Sequence, residues 1–298
     1  MFPGILITLA LAMQPDPAML RRLFEEALTL RRQQYGDTDA RTAQAARDLG
    51  MFLDRQGQAG GARAALAEAL RIDEAVSGAS APQTLADVAE LARVSPTPEA
   101  EPLWRRAAAG ADAGLAARAL TALGEIHVAG GDRAGAAGFY RRALVKQEAA
   151  AGRDSEAVAV CLNALAQLVE VKDGIPLLER ALAIDRRVMG AGHPQTASTE
   201  ANLAGLLVHA RRNDEAIRAA SDALSIFQET LGPDHPRCAI TAGILAFALE
   251  ARGDLARAEK MYRLALAIDE RAYGAQHPQT VRDSRALAEF LRANGRQW

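Results

Sequence analysis

The sequence predicts an all-α protein in which antiparallel helix pairs stack into a superhelix. Three observations carry that reading. The string ALAID at 181–185 returns at 265–269, with ALSIF at 223–227 between them, so one landmark recurs in two steps of 42 residues. A second landmark keeps the same step: GAGHPQT from Gly190, GPDHPRC from Gly232 and GAQHPQT from Gly274, with APQT from Ala81 as a partial copy. No stretch alternates as a strand does, whereas apolar residues recur at three and four and Ala, the strongest helix former, occurs 67 times. A fixed period of this size marks a repeat architecture. One helix pair cannot bury its apolar face alone, so pairs stack and bury it against their neighbours.

The elements follow in order. Residues 4–13, GILITLALAM, form an apolar run ahead of the breaker QPDP. Ten apolar residues are too few to span a bilayer, which takes about 20. The length suits the apolar centre of an export signal, with Ala10-Leu11-Ala12 as the small-x-small cleavage site. Met1 to Gly4 supply no basic side chain, and a short buried or frayed segment fits the same run. Localisation is accordingly periplasmic or secreted on the first reading and cytoplasmic on the second. Pro17–Tyr35 reads as a lone helix of the second type, since ALTLR from Ala27 stands 42 residues before ALRID from Ala69.

Six helix pairs occupy about 39–274. Their first helices, and the last helix of the chain, carry a Leu followed by a small residue: Leu49-Gly50, Leu91-Ala92, Leu123-Gly124, Leu165-Ala166, Leu203-Ala204, Leu245-Ala246 and Leu287-Ala288. Polar or Gly-rich turns follow, as in RQGQ at 55–58, AGGD at 129–132, Asn213-Asp214 and ARGD at 251–254. Ala62, Ala136, Ala216 and Ala258 then mark the second helices, with Ala69, Ala143, Ala223 and Ala265 seven residues on. Small residues let the two helices approach closely, and Leu66, Tyr140 and Tyr262 fill the space above them. Gly232 past the end of one helix and Pro236 at the start of the next are the expected stop and start residues. The spacing shortens near 94–99, 109–114 and 171–174, so a less regular stack is expected over about 92–174. Residues 278–294 form a final first-type helix that caps the array.

Composition limits the function. The 35 basic and 37 acidic residues give a net charge of −2, without the cationic excess that duplex nucleic acid demands. Two Cys preclude a disulfide framework and a four-thiolate zinc site. No Walker-type loop, Gly-x-Ser-x-Gly elbow, His-Glu-x-x-His or Cys-x-x-Cys is present, so the chain is read as a non-enzyme with no cofactor and no metal. His193, His235 and His277 recur one repeat apart in the turns before Pro, too far apart to share an ion, and a turn role fits them better.

The spacing of Leu-small, Ala, large residue and Ala resembles the tetratricopeptide repeat, with a period longer than that family's usual 34 residues or so. The strings EKMYRLALAIDE at 259–270 and ALAIDERAYGAQHPQT at 265–280 are similar to its kinesin light chain-like subtype. The resemblance spans about 17–298. It implies a right-handed α–α solenoid whose first helices line a concave groove that holds a peptide or helix of a partner protein. Matching positions relative to each Leu-small pair put Arg47, Arg118, Asn163, Gln167, Ser198, Phe247, Arg282 and Arg285 on that groove. The four arginines suit carboxylates of a peptide, Asn163 suits an extended backbone, and Ala201, Gly205, Gly243 and Phe247 suit an apolar anchor. A solvated surface would carry the same residues. Two other readings stand beside groove binding: a self-associating structural subunit, and a regulatory part of a larger signalling or protease system.

Overall fold

The structure is a computed structural model that describes residues 16–295; the apolar run 4–13 and its cleavage motif lie outside them. The described residues form fourteen α-helices and no strand. They are α1 Pro17–Tyr35, α2 Ala40–Arg55, α3 Ala59–Ser77, α4 Pro82–Val94, α5 Thr97–Ala108, α6 Ala113–Ala129, α7 Arg133–Ala151, α8 Glu156–Ala166, α9 Val171–Val188, α10 Pro194–His209, α11 Asn213–Leu231, α12 Pro236–Arg252, α13 Leu255–Tyr273 and α14 Pro278–Ala293. Two compact units divide the chain between residues 150 and 151.

In the first unit, α2 packs on α3 along a seam of small residues. Ala62 and Ala69 have no exposed surface, and a Cβ on Gly50 would stand 2.7 Å from Leu66 Cγ. The α6–α7 pair repeats the device: Ala136 and Ala143 are buried and Gly124 lies directly under the Tyr140 ring. Between them α4 and α5 are short, 13 and 12 residues, where the sequence spacing contracts.

The second unit builds one continuous core from Ala166 at the end of α8 through α14. Ala181, Ala223 and Ala265 are buried at corresponding places on α9, α11 and α13, as the shared register requires. Leu203, Leu245 and Leu287 are likewise buried on α10, α12 and α14. At α9 the crowding is greatest, since a Cβ on Gly174 would meet Leu206 Cδ1 at 2.7 Å and the Ala166 carbonyl oxygen at 2.9 Å.

The Gly-x-x-His-Pro-x-Thr turn has a physical account. Gly190 and Gly232 end their helices at φ of about +90°, a region closed to most side chains. His193, His235 and His277 are N-caps: their Nδ1 atoms accept the backbone N–H of Gln195, Arg237 and Gln279 at 3.0, 3.2 and 3.2 Å. Pro194, Pro236 and Pro278 occupy the first helical position, where no N–H is needed. The Thr closes the turn, Thr196 Oγ1 donating to the Gly190 carbonyl at 2.8 Å, as Thr84 does to Gly78 and Thr42 to Gly36. Cys238 holds that place after Gly232, its thiol 3.5 Å from the Gly232 carbonyl oxygen, and both Cys238 and Cys161 are buried outside any disulfide.

Candidate functional site

One concavity lies in the second unit, on its first helices. A pocket of about 330 Å³ is lined by Gly205, Val208 and His209 of α10, Ala239, Ile240, Gly243, Ile244 and Phe247 of α12, and Gln279 and Asp283 of α14. Phe247 and Ile240, two turns apart on one face of α12, are 55% and 53% exposed, high for large apolar side chains. Gly205 and Gly243 keep the floor low. A Cβ on Gly243 would meet nothing within 4 Å, and one on Gly205 only Ile244 Cδ1 at 3.9 Å. These glycines are therefore open surface rather than packing necessities.

Asp283 is the one acid among the lining residues. Asp283 lies against Asp269, which is fully buried on α13. Burial and the facing Asp269 carboxyl push Asp283 up to about 6, and burial raises Asp269 as well. Both oxygens of Asp269 and Oδ2 of Asp283 meet no donor among the described residues other than each other's carboxyl, which donates only when protonated. Gln279 Nε2 donates to Asp283 Oδ1 at 3.4 Å, while Gln279 Oε1 accepts from Arg282.

The sequence-derived candidates divide. Phe247 is in the pocket, and exposed Arg282 reaches its rim through Gln279. Arg285 is exposed on α14. Ser198 is half-buried, accepting from Arg237 at 2.7 Å while donating to the Pro194 carbonyl at 2.8 Å. Asn163 donates to Thr199 Oγ1 at 2.8 Å and accepts from Asn202 at 3.2 Å; Thr199 in turn donates to Asp185 at 2.6 Å. Its amide thus satisfies neighbouring helices rather than a peptide backbone. Gln167 is exposed at the end of α8, and in the first unit exposed Arg118 stands 3.5 Å from Glu90.

Arg47 is not a groove residue. Its guanidinium is buried between two carboxylates, donating from Nε to Asp87 Oδ1 at 2.5 Å and from one Nη to Asp73 Oδ2 at 2.6 Å, and the other Nη donates to Gln44 Oε1 at 2.5 Å. Burial and the facing Asp87 still hold Asp73 up at about 6. Ala201 is also buried rather than at the groove centre. Sequence reasoning passed over Asp283 and Gln279. The available signal was that Asp87 and Asp283 both stand four residues before the Leu of their helix, each opposite the acid of an Ile-Asp string fourteen residues earlier.

Among the described residues no three metal-capable side chains converge, and no helix is long and apolar enough to cross a membrane. A family description, tetratricopeptide repeat, matches residues 9–75, 197–271 and 239–298, together more than half of the chain. The chain belongs to the tetratricopeptide repeat family. The unmatched middle coincides with the short helices α4, α5 and α8, where the spacing contracts. Among curated proteins none matches the chain. Solved structures with a similar fold include BtubC (BKLC) from P. vanneervenii, at 20% identity and TM-score 0.56 over 86% of this chain and 94% of that one. A signal transduction ATPase with numerous domains and a tetratricopeptide repeat sensor, from Pyrococcus horikoshii, is similar at 14% identity and TM-score 0.65 over 95% of this chain and 45% of that one. A Rap protein complexed with competence and sporulation factor is similar at 17% identity and TM-score 0.57 over 86% of this chain and 72% of that one. These identities establish the fold alone. Family and fold together make this tetratricopeptide repeat protein a protein-interaction scaffold.

Proposed function

We propose that the first-helix face of the second unit captures a short segment of a partner protein, anchored by an apolar side chain at Phe247. The observation that carries this is the exposed Phe247–Ile240 pair above open glycines, with polar groups on the surrounding wall. Small sites of this kind combine an apolar body with a few converging polar groups. The Rap protein of similar fold is itself complexed with a factor, which fits a fold able to receive ligands. The binding step involves no chemistry.

The test is the double variant Phe247→Ala with Arg285→Ala, both on exposed positions. Truncating an aromatic anchor at an interface costs about 2 kcal/mol or more, so capture of the native partner in a quantitative pull-down falls by about 30-fold with helicity unchanged. Undiminished capture contradicts the assignment. Light scattering addresses self-association: a monomer at all concentrations argues against a structural oligomer. For residues 4–13 we propose an export signal, which cell fractionation of the full chain tests; retention of unprocessed protein in the cytoplasm contradicts it.

A further inference from the structure

The repeats supply an internal template for what the pocket binds. Aligned on the Leu-small pair, the residue two places before it is Arg47, Asn163, Ala201 and Gly243 in the helices α2, α8, α10 and α12. The following helix pair offers two facing positions: Asp73 with Asp87, Asp185 with Thr199, Phe227 with Thr241, and Asp269 with Asp283. In the first copy Arg47 sits between both carboxylates. In the second Asn163 donates to Thr199, which donates to Asp185. In the third neither an acid pair nor a polar donor remains. The fourth keeps both acids and the flanking glutamine, Gln279 beside Asp283 as Gln83 is beside Asp87, where the Gln83 carbonyl oxygen accepts from Arg47 at 2.9 Å. Yet its donor position is Gly243, which opens onto the 330 Å³ pocket instead of covering it.

Two independent observations therefore meet. Fully buried Asp269 meets no N–H, hydroxyl or guanidinium donor among the described residues; its side-chain partner is the Asp283 carboxyl, which can serve it only while the pair holds a proton. The equivalent acids elsewhere in the chain have fixed donors, Asp73 and Asp87 the Arg47 guanidinium and Asp185 the Thr199 hydroxyl. The nearby cation Arg282 is exposed, donates to Gln279, and acts on both acids through its charge without a hydrogen bond to either. Resting on the groove reading above, we propose that the pocket receives an arginine side chain of the partner segment, its guanidinium between Asp269 and Asp283 as that of Arg47 is between Asp73 and Asp87, with a neighbouring apolar side chain on Phe247 and Ile240. Arginine suits the geometry because its planar fork can donate to two carboxylates at once, which an ammonium does less well.

The experiment selects a random peptide library displayed on phage against the full chain at neutral pH, then measures synthetic copies of the recovered peptides. The expected peptides carry Arg beside an apolar residue. Replacing that Arg by citrulline, which keeps the shape and removes the charge, weakens binding by about tenfold or more, the scale of a lost charge-assisted hydrogen bond. Gly243→Arg supplies the guanidinium internally and weakens the same peptides by at least about tenfold while keeping helicity, and Asp283→Asn removes the preference for Arg over citrulline. Equal binding of Arg and citrulline peptides, or peptides indifferent to Gly243→Arg, overturns the arginine assignment. Arg-free peptides that are lost on Phe247→Ala overturn it too but leave the groove reading standing. Failure to recover any Phe247-dependent peptide overturns both.

Discussion

Arg47 is the position where removing one side chain should cost the fold most per atom. Its side chain is 10% exposed and its partners Asp73 and Asp87 are 4% and 0% exposed. Arg47→Met keeps much of the stem volume and strands two carboxylates in a dry site. Breaking a buried pair by deleting one partner costs about 3–5 kcal/mol, because the remaining charge is uncompensated. The cost depends on pH, and its sign follows from the carboxylates. Burial already raises Asp73 to about 6 with Arg47 in place, and without the guanidinium it rises further. A folded-state value above the unfolded one means the native state holds more protons, so stability falls as pH climbs from about 4 through the raised value. Urea denaturation followed by circular dichroism should therefore show a loss of about 3–5 kcal/mol at pH 7.5 and less than half of that near pH 4.5. Amide exchange should quicken first in α2, α3 and α4. Adding Asp87→Asn to Arg47→Met should recover part of the loss. A cost under about 1 kcal/mol at pH 7.5, or one that does not change with pH, would refute the reasoning.

Other outcomes follow from the same structure. Asp283→Asn should stabilise the second unit at neutral pH and remove a decline in stability between about pH 4 and 7. The rise of Asp283 from 3.8 to about 6 is worth about 3 kcal/mol in full, and partial hydration of the half-buried group lowers the expectation to about 1–2 kcal/mol. Gly174→Ala should destabilise by about 1–3 kcal/mol in thermal melts, since the Ala166 carbonyl cannot move as a side-chain end can. His235→Ala should cost about 1 kcal/mol through loss of the N-cap acceptor, whereas His235→Asn should keep most of it; equal losses would remove the capping role.

The fold was legible because its signals are local and repeated. The Leu-small pair, the Ala register and the Gly-to-Pro punctuation each follow from helix geometry within about one turn, and the Leu-small pair alone appears seven times along the chain. The α4–α5 contraction was visible for the same reason. The polar network was not. Arg47 looks like a surface arginine until Asp73 and Asp87, 26 and 40 residues away, are brought against it. Asn163 likewise resembles a backbone-binding residue until Thr199 and Asn202 take up its amide. Of the site, Phe247 and the open Gly205 and Gly243 could be placed from register alone. Asp283 could not, because its meaning depends on Asp269 and on the missing side chain at Gly243. The His-Pro turns were read correctly as turns, but the Nδ1 cap and the Thr latch required coordinates.

The most direct test of the central claim is amide hydrogen exchange on the full chain with a library-selected peptide bound. The account predicts protection concentrated on α10, α12 and α14, around Gly205, Phe247 and Gln279, and absent from the Phe247→Ala variant. Protection confined to the second helices α9, α11 and α13, or unchanged by Phe247→Ala, would contradict it.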